Sequence, residues 1–312
     1  MRWHIEHIIC GGDPVSYAYV MDWLAFAVQK PELRPEVALV LLGLKGTGKG
    51  IFGNAIRKLF GKHGIVVRNM KHLSGQFNGH LDRCALLFVD EAASVARSDV
   101  GIVNGYITDP TFGVERKGFD FVQTDNYLHV IMASNDKHVI WATPDERRYC
   151  VLDVSDAKMG DLAYFKELAE ELDNGGLEAM LHDLLDRDIS AFDPRNYPST
   201  KALSNQIIES FSTEEQWLLE TLVEGEIQGE KWGTHVKGAV FNSYKASGGS
   251  WGSTGFSRWL LDTVKGAEAT KAVLEFKGNQ VPVYKFPPLE ACRKQFEARI
   301  RQPIDWETGM IA

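Results

Sequence analysis

The chain has 312 residues, of which 44% are hydrophobic and 24% are charged, values that are ordinary for a globular protein and exclude a fibrous or disordered one. No apolar run approaches the roughly 18 residues that a membrane-spanning helix needs, and "MRWHIEHIICGGDP" lacks the layout of a signal peptide, so we expect no membrane partner and a cytoplasmic protein. The net charge is −8, but residues 230–301 carry 12 basic and 6 acidic side chains, which restricts any nucleic-acid contact to this segment or to a few basic loops.

In the first half of the chain, helical patterns alternate with apolar runs. Residues 13–29 predict a helix, with Asp13 as its cap and Pro14 in its first turn. Four runs predict buried strands: "EVALVLLG" (36–43), "ALLFVDEA" (85–92), "YLHVIMASN" (127–135) and "YCVLDV" (149–154). The alternation predicts an α/β fold with a mostly parallel sheet. The four cysteines follow no metal-ligand spacing, so we expect buried free thiols and a reducing environment.

The second half differs in composition. Residues 112–123, still in the first half, predict a short hairpin with a basic tip. Residues 160–188 predict acidic amphipathic helices interrupted at Asn174. Residues 193–199 predict a linker. A new unit then begins with Thr213 as a helix cap and continues as two more helices and a ribbon at 272–286, an order that is typical of a winged helix.

The stretch "GLKGTGKG" fits the phosphate-loop pattern G-x-x-x-x-G-K between a strand and a helix. Its glycines let backbone N–H groups converge on phosphate oxygens, and Lys49 can reach the β- and γ-phosphates of ATP. The expected nucleotide-binding residues are Gly43, Lys45, Gly46, Thr47, Gly48, Lys49, Gly50 and Ile51. Gly50 departs from the pattern, because Ser or Thr normally supplies a hydroxyl to Mg²⁺ there. The alternative is a glycine-rich turn that binds nothing.

Three further strand boundaries carry residues suited to phosphoryl transfer. We expect Asp90 to hold Mg²⁺ and Glu91 to polarise the attacking water. Asn135 could present its amide to the γ-phosphate, and Arg147 or Arg148 could stabilise the charge that develops during transfer. Taken singly, these residues could equally be solvated strand ends, a turn former and surface ion-pair partners.

Together, these features resemble the superfamily-three helicases of phages, plasmids and small DNA viruses. "GQFNGHL" and "LLFVDEA" look similar to the helicase-like C-terminal half of phage primase-polymerase and primase-helicase proteins. The resemblance implies an AAA+-like P-loop NTPase fold and a ring, usually a hexamer. It implies that an arginine finger, for which Arg148 is favoured over Arg147, comes from the next subunit. It also implies that Lys117 and Arg116 at the hairpin tip bind DNA, with Phe119 and Phe121 in the hairpin core.

The resemblance therefore predicts an ATP- and Mg²⁺-dependent ring helicase or translocase acting on single-stranded or forked DNA at a phage-type replication fork in the host cytoplasm. The alternative is a non-hydrolysing ring scaffold for a primase or polymerase, suggested by Gly50. A small-molecule phosphotransferase fits less well, because the sequence has no arginine-rich lid. Because the chain starts almost at the phosphate loop, we expect a stand-alone helicase or a fragment of a longer protein.

These interpretations divide the chain into five segments. They are an N-terminal helical segment (1–35), a P-loop ATPase core (36–155), an acidic helical spacer and linker (156–210), a winged-helix-like domain (211–302) and a tail (303–312). In the fourth segment, Lys237, Lys245, Arg258 and Lys265 could face DNA phosphates, although a winged helix can equally bind protein.

Overall fold

The computed structural model describes residues 1–69, 71–75, 77–92, 97–273 and 280–311. The chain forms two compact units. The first comprises Met1–Ala142 and Glu146–Gln206, and the second comprises Thr143–Asp145 and Ile207–Ala312.

A five-stranded parallel sheet forms the centre of the first unit. The described strands of this unit are β1 (Ala38–Leu42), β2 (Gly64–Val67), β3 (Leu86–Val89), β4 (Thr111–Val114), β5 (Val122–Asp125), β6 (His129–Ser134) and β7 (Tyr149–Asp153). The sheet has the order β2-β3-β6-β1-β7, and each neighbouring pair is parallel. All residues of β1, β3 and β6 are buried, as expected when helices cover both faces of a parallel sheet. The prediction of an α/β fold with a mostly parallel sheet is confirmed.

The helices of this unit follow the sequence patterns where those patterns are long. The helices are α1 (Arg2–His4), α2 (Pro14–Gln29), α3 (Lys49–Leu59), α4 (Lys71–Ser74), α5 (Val100–Thr108), α6 (Leu162–Glu171), α7 (Leu177–Asp186) and α8 (Lys201–Glu209), with π turns at Ile5–Ile9 and Leu172–Gly176 and 3₁₀ turns at Gly61–His63 and Gly79–Leu81. Asp13 caps α2 as predicted, because its carboxylate accepts hydrogen bonds from the backbone N–H groups of Val15 and Ser16. No helix in the described ranges has both the length and the apolar character needed to cross a membrane.

The N-terminal helices and the acidic helices share one hydrophobic core with the sheet. Trp23 on α2 is fully buried, and its indole N–H donates to the Val37 carbonyl at 3.0 Å. Leu168 and Leu184, from the segment expected to be a spacer, are buried in the same core. Tyr197, from the expected linker, donates its hydroxyl to the Glu146 carbonyl at 2.8 Å. These residues therefore belong to the first unit.

The second unit contains helices α9 (Thr213–Glu224), α10 (Lys237–Ala246), α11 (Ser253–Thr263) and α12 (Leu289–Ile300), and strands β8 (Glu226–Ile227), β9 (Glu230–Lys231), β10 (Thr234–Val236), β11 (Glu268–Val273), β12 (Gln280–Lys285), β13 (Ile304–Asp305) and β14 (Met310–Ile311). Strands β10, β12 and β11 form an antiparallel sheet in that order. The predicted ribbon is present, but its tip at 274–279 lies outside the described residues.

Two features of the second unit differ from the sequence-based expectation. The cap of α9 is Ser212, one residue before Thr213, and it forms a reciprocal capping box with Glu215. The described part of the segment expected to be a tail, residues 303–311, packs onto this unit, because Ile304 and Ile311 are buried in the same core as Trp217.

The predicted hairpin is present as β4 and β5, but the prediction for its two phenylalanines is wrong. Phe119 and Phe121 are 73% and 68% exposed. The two strands have only four residues each and bury only Val114 among them, so the hairpin has no core of its own. The ring of Phe121 lies over Gly113, where a Cβ atom would approach it to 2.1 Å.

The four cysteines are buried free thiols, as predicted. Burial raises the pKa of Cys10 and of Cys84 to about 12. Because only the thiolate is nucleophilic, burial makes both cysteines poor nucleophiles near neutral pH.

Candidate functional site

The glycine-rich loop lies at the carboxyl edge of the parallel sheet, between β1 and α3. Strand β6 pairs with both β1 and β3, so the residues that follow these three strands lie side by side. They line one pocket of about 280 Å³. The lining residues are Lys45, Gly46, Thr47, Gly48, Lys49, Gly50, Ile51, Asp90, Glu91, Ala133, Asn135 and Phe165. The fold thus brings together all the residues predicted for this edge except Gly43, which does not line the pocket but accepts a hydrogen bond from Lys49 through its carbonyl.

The loop requires glycine at two positions. Gly46 and Gly48 have φ angles of 82° and 96°, a left-handed conformation that glycine adopts without strain. A Cβ atom at Gly48 would lie 2.4 Å from Cε1 of His4 and 2.9 Å from Cε1 of Phe165. Helix α3 begins at this glycine without a side-chain cap, so the N–H groups of its first turn are available to an anion in the pocket.

Helix α3 also rests closely on the strand that carries the acidic pair. A Cβ atom at Gly53, one turn into α3, would lie 2.2 Å from the ring of Phe88 on β3. This close approach fixes the start of α3 relative to the end of β3, where Asp90 follows two residues after Phe88.

Lys49 is 6% exposed, and its ammonium group folds back onto the loop. It donates to the carbonyls of Gly43 and Leu44 at 2.7 and 2.8 Å. The hydroxyl of Thr47 donates to the Leu44 carbonyl at 2.9 Å, so it is engaged within the loop. Burial lowers the pKa of Lys49, and the nearby Asp90 carboxylate opposes that shift. A phosphate could replace the neutral carbonyls with a charged and therefore stronger acceptor.

His4 packs against the glycine-rich loop and hydrogen-bonds to it. Its Nε2 donates to the Gly48 carbonyl at 3.3 Å, which leaves Nδ1 to accept from the Tyr164 hydroxyl at 2.9 Å. Burial lowers the pKa of His4 to about 4, so the imidazole is neutral near pH 7. A neutral ring provides both hydrogen bonds without placing a charge against the loop.

The acidic pair follows directly after β3. The Asp90 side chain is 19% exposed, and its Oδ2 lies 3.4 Å from Nε of Arg68. Its Oδ1 lies 3.9 Å from the position that a Cβ atom would take on Gly50. Glu91 is exposed and has a φ angle of 57°, which is rare outside glycine and is found disproportionately at functional positions.

The donors at this pocket fit Mg²⁺ only in the company of phosphate. No group of three or more His, Cys, Asp or Glu side chains in the described ranges could hold a metal ion alone. Mg²⁺ is usually bound by one or two carboxylates together with substrate phosphates and water. Asp90 can supply the carboxylate, whereas Gly50 supplies no hydroxyl.

Arg147 and Arg148 lie at the opposite, amino edge of the sheet. The carbonyl of Arg148 accepts from the N–H of Ala38, where β1 begins. The five residues of β1 span about 16 Å, which exceeds the reach of an arginine side chain. The structure therefore does not bring either arginine to the pocket of its own chain. Arg148 lies 3.5 Å from Oε1 of the buried Glu146 side chain, whereas Arg147 is exposed.

The two residues at the hairpin tip differ in their surroundings. Arg116 forms an ion pair with Asp82. Lys117 is exposed in the turn between β4 and β5. Neither lines the pocket around the loop.

Three residues of the site escaped sequence reasoning: His4, Arg68 and Phe165. They come from α1, from the end of β2 and from α6, and no motif marks them. For Arg68 the short run "GIVV" (64–67) was the available signal, because it forms the strand that delivers this side chain beside Asp90.

The second unit has a groove of about 620 Å³ at α10, α11 and β12. Its lining residues are Lys237, Gly238, Phe241, Ser253, Thr254, Ser257, Arg258, Leu261 and Tyr284. The ammonium of Lys237 lies 5.1 Å from the centre of the Tyr284 ring, and Arg258 is exposed. Within the described part of this unit neither cation forms an ion pair. Lys245 instead donates to the Gly249 carbonyl at 2.8 Å.

Known proteins resemble this chain in sequence over part of its length and in fold over most of it. Residues 41–148 match a family of unknown function, DUF5906. The DNA primase-polymerase of Nitratiruptor phage NrS-1 is 29% identical over 145 residues, which is 45% of this chain and 20% of that protein. The matched part of the relative is thus a small fraction of its length.

Solved structures extend the likeness to almost the whole chain. An apo structure of the NrS-1 C-terminal region has a TM-score of 0.69 at 18% identity and covers 92% of this chain and 75% of that one. An apo structure of the same region described as the A form has a TM-score of 0.70 at 19% identity, with 92% of this chain and 74% of that one covered. At this identity the match establishes a shared fold. The chain is therefore similar in sequence to a phage primase-polymerase and has the fold of that protein's C-terminal region.

Proposed function

We propose that this chain is the ATPase module of a DNA motor in phage-type replication, and that it couples ATP hydrolysis to movement along single-stranded DNA. The observation that carries the proposal is the single pocket in which Lys49, Asp90, Glu91 and Asn135 surround a glycine-rich loop. A hydrolytic site needs an acid pair and a polar sensor as well as a phosphate-binding loop. The similarity to a phage primase-polymerase supports the setting in replication.

Each of these residues has a distinct role in the proposed reaction. The loop N–H groups and Lys49 bind the β- and γ-phosphates. Asp90 would hold Mg²⁺, and the metal would supply charge neutralisation at the phosphates. Glu91 orients the attacking water and draws on its proton, while Asn135 hydrogen-bonds the γ-phosphate or that water.

The architecture fits an AAA+-like P-loop NTPase with a winged-helix-like second unit. Insertion of β6 between β1 and β3 puts Asn135 between the loop and the acidic pair. In the second unit, α9, β10, α10 and α11 are followed by the β11–β12 ribbon, which is the element order of a winged helix.

The proposed motor is a ring, most simply a hexamer, because an arginine must come from another copy. Arg148 or Arg147 would act on the ATP of a neighbouring subunit, since each is too far from its own loop. The resemblance favours Arg148, but Arg147 is the more exposed of the two and is therefore also a candidate for this role.

Two surfaces are proposed to bind DNA. Lys117 at the hairpin tip would contact phosphates of one strand, with Arg116 held beside it by Asp82. In the groove of the second unit, the unpaired cations Lys237 and Arg258 stand near the hydroxyls at the start of α11, a combination suited to a phosphodiester backbone.

ATP turnover with and without single-stranded DNA tests the central proposal. We expect hydrolysis that single-stranded DNA stimulates and that Lys49→Ala abolishes. ATP that is bound but never hydrolysed, with or without DNA, would reject the motor and favour a non-hydrolysing ring scaffold for a primase or polymerase. The specific observation behind that second candidate is the missing hydroxyl at Gly50.

The groove is tested by the salt dependence of single-stranded DNA binding. The variant Lys237→Ala/Arg258→Ala should weaken binding and reduce the slope of log K against log salt by about one per lost phosphate contact. The matched control Lys231→Ala/Lys294→Ala removes two exposed cations of the same unit that lie outside the groove. Equal losses in both variants would reject the groove as a DNA contact and leave it as a candidate protein-binding surface.

A further inference from the structure

We propose that Arg68 is an exchangeable counter-ion of Asp90, which competes with the divalent cation for this carboxylate and thereby sets the metal affinity of the candidate active site. This inference rests on the proposed function, because it concerns the cation that accompanies ATP in the pocket. It assigns a positioning role to a residue that no sequence motif marks.

The sheet register puts Arg68 beside Asp90. Strand β2 pairs with β3 so that Val67 lies opposite Val89, and the next residue on each strand is the arginine and the aspartate. The N–H of Asp90 donates to the Val67 carbonyl at 2.8 Å, which extends the pairing past the strand ends. Backbone pairing thus holds the two side chains together, and Nε of Arg68 lies 3.4 Å from Oδ2 of Asp90.

The two partners are unequally free to move. The Arg68 side chain is 63% exposed, whereas the Asp90 side chain is 19% exposed. A long exposed guanidinium can leave into solvent at little cost, but the aspartate stays where its strand holds it. The arginine is therefore the exchangeable member of the pair.

The two oxygens of Asp90 face different surroundings. Oδ1 faces the start of α3 at Gly50, on the side of the phosphate loop, while Oδ2 faces Arg68. A divalent cation bound at this carboxylate would repel the guanidinium, because like charges a few ångströms apart destabilise each other. Metal binding must therefore weaken or break the contact with Arg68.

Stability alone does not explain the pair. Exposed ion pairs contribute little to folding, and this one involves the carboxylate that is suited to hold the metal. Together with the missing hydroxyl at Gly50, the pair leaves the pocket with weak metal affinity until nucleotide phosphates add their oxygens. Metal and nucleotide would then bind as one unit.

Mn²⁺ binding, followed by electron paramagnetic resonance, tests the inference without requiring turnover. It is measured for the full chain with Mn²⁺ alone and with Mn²⁺ plus ADP. We expect Arg68→Ala to tighten Mn²⁺ binding about two- to fivefold, the range that corresponds to losing an exposed ion pair. Arg68→Lys, which keeps the charge, should stay near the wild type. The control Lys62→Ala removes an exposed cation at the other end of β2 and should change nothing.

Unchanged or weaker Mn²⁺ binding in Arg68→Ala, in both arms, overturns the inference. Loss of ADP affinity measured in EDTA would instead show that Arg68 binds a phosphate directly, which also overturns it. If Arg68→Ala gains Mn²⁺ affinity but no variant and no wild-type protein binds ADP, the inference stands and the proposed function fails. If ADP binds and Arg68→Ala leaves the Mn²⁺ affinity unchanged, the inference fails while the proposed function is still decided by ATP turnover.

Discussion

The two edges of the central sheet carry different kinds of chemistry. At the carboxyl edge, three adjacent strands deliver Lys49, Asn135 and Asp90 to one pocket. At the amino edge, Arg148 lies against the buried Glu146 side chain and does not line that pocket. The carboxyl edge thus gathers predicted site residues into one pocket, whereas the two predicted arginines lie at the amino edge.

This difference indicates which residues each subunit would contribute to a site shared between two copies of the chain. A parallel sheet gathers the residues that follow its strands at one edge, whatever their distance in sequence. Residues that precede a strand lie at the far edge and can serve a second molecule but not their own. Experiments that separate the two edges therefore test the proposal most directly.

The largest effect is expected at the amino edge. The double variant Arg147→Ala/Arg148→Ala should lower ATP turnover by about 10³–10⁵, the contribution of an arginine finger, while ATP binding persists. Mixing it with Lys49→Ala subunits should restore part of the turnover, because each subunit supplies the half that the other lacks. Turnover rates of the mixtures provide the measurement, and mixtures that assemble but stay inactive would disprove a role in trans.

At the carboxyl edge, Glu91→Gln should lower turnover by about 10²–10⁴ because the amide cannot take up a proton from the attacking water. Mixing this variant with Lys49→Ala should restore nothing, since both defects lie in the same site. The exposed Glu167→Gln on α6 is the matched control. Full turnover in Glu91→Gln would show that Glu91 does not activate the water, whereas DNA-dependent function that persists in this variant without turnover would favour the scaffold alternative.

The two edges are expected to behave alike in acid. His4 lies at the carboxyl edge and His129 starts β6 at the amino edge, and burial lowers the pKa of both to about 4. Between about pH 6.5 and 4 the unfolded chain binds more protons than the folded one. The free energy of unfolding should therefore fall as pH falls, by about 1.4 kcal/mol per pH unit for each histidine.

Urea unfolding at several pH values measures this slope. His129→Asn keeps a donor for the Ala85 and Tyr127 carbonyls that Nδ1 contacts at 3.1 Å, but it cannot titrate. His4→Gln likewise keeps a donor for the Gly48 carbonyl. Each variant should flatten the slope by the contribution of one histidine, and an unchanged slope would mean that the substituted imidazole is not neutral in the fold.

The smallest effect concerns the missing hydroxyl. Gly50→Ser should lower the Mg²⁺ concentration for half-maximal hydrolysis by about two- to tenfold, the value of one added polar contact. The site has room, because a Cβ atom there would stand 3.9 Å from Oδ1 of Asp90. Gly50→Ala is the control, since it adds the same carbon without the oxygen. Equal requirements in the two variants would indicate that another group already completes the metal's ligands.

Sequence reasoning recovered the long or strongly patterned parts of this molecule. The buried runs at β1, β3, β6 and β7 and the loop before α3 were predictable, because burial on both faces leaves a continuous apolar signal. The short edge strand β2 was missed, since four residues give too little periodicity, and Arg68 was missed with it. Phe119 and Phe121 were misjudged because their exposure depends on how little the hairpin packs.

The candidate site was predictable wherever residues follow a strand, and not where a distant segment approaches. Lys49, Asp90 and Asn135 each follow a recognisable run. His4 and Phe165 meet at Gly48 only because α1 and α6 pack onto the loop, which no local pattern records. No local pattern records the position of Arg148 either, because its distance from the loop depends on the direction of the strand that follows it.

Gly53 carries a consequence for how this protein tolerates mutation. It takes no part in chemistry, yet the Phe88 ring leaves no space there for a methyl group. Any larger residue would lift the start of α3 away from the aspartate that follows β3. A deep mutational scan should therefore find Gly53 as intolerant of substitution as Lys49. Replacing Phe88 with a smaller apolar side chain should partly rescue Gly53→Ala. The spacing between the phosphate loop and the acidic pair therefore depends on Gly53, a residue that carries no reactive group.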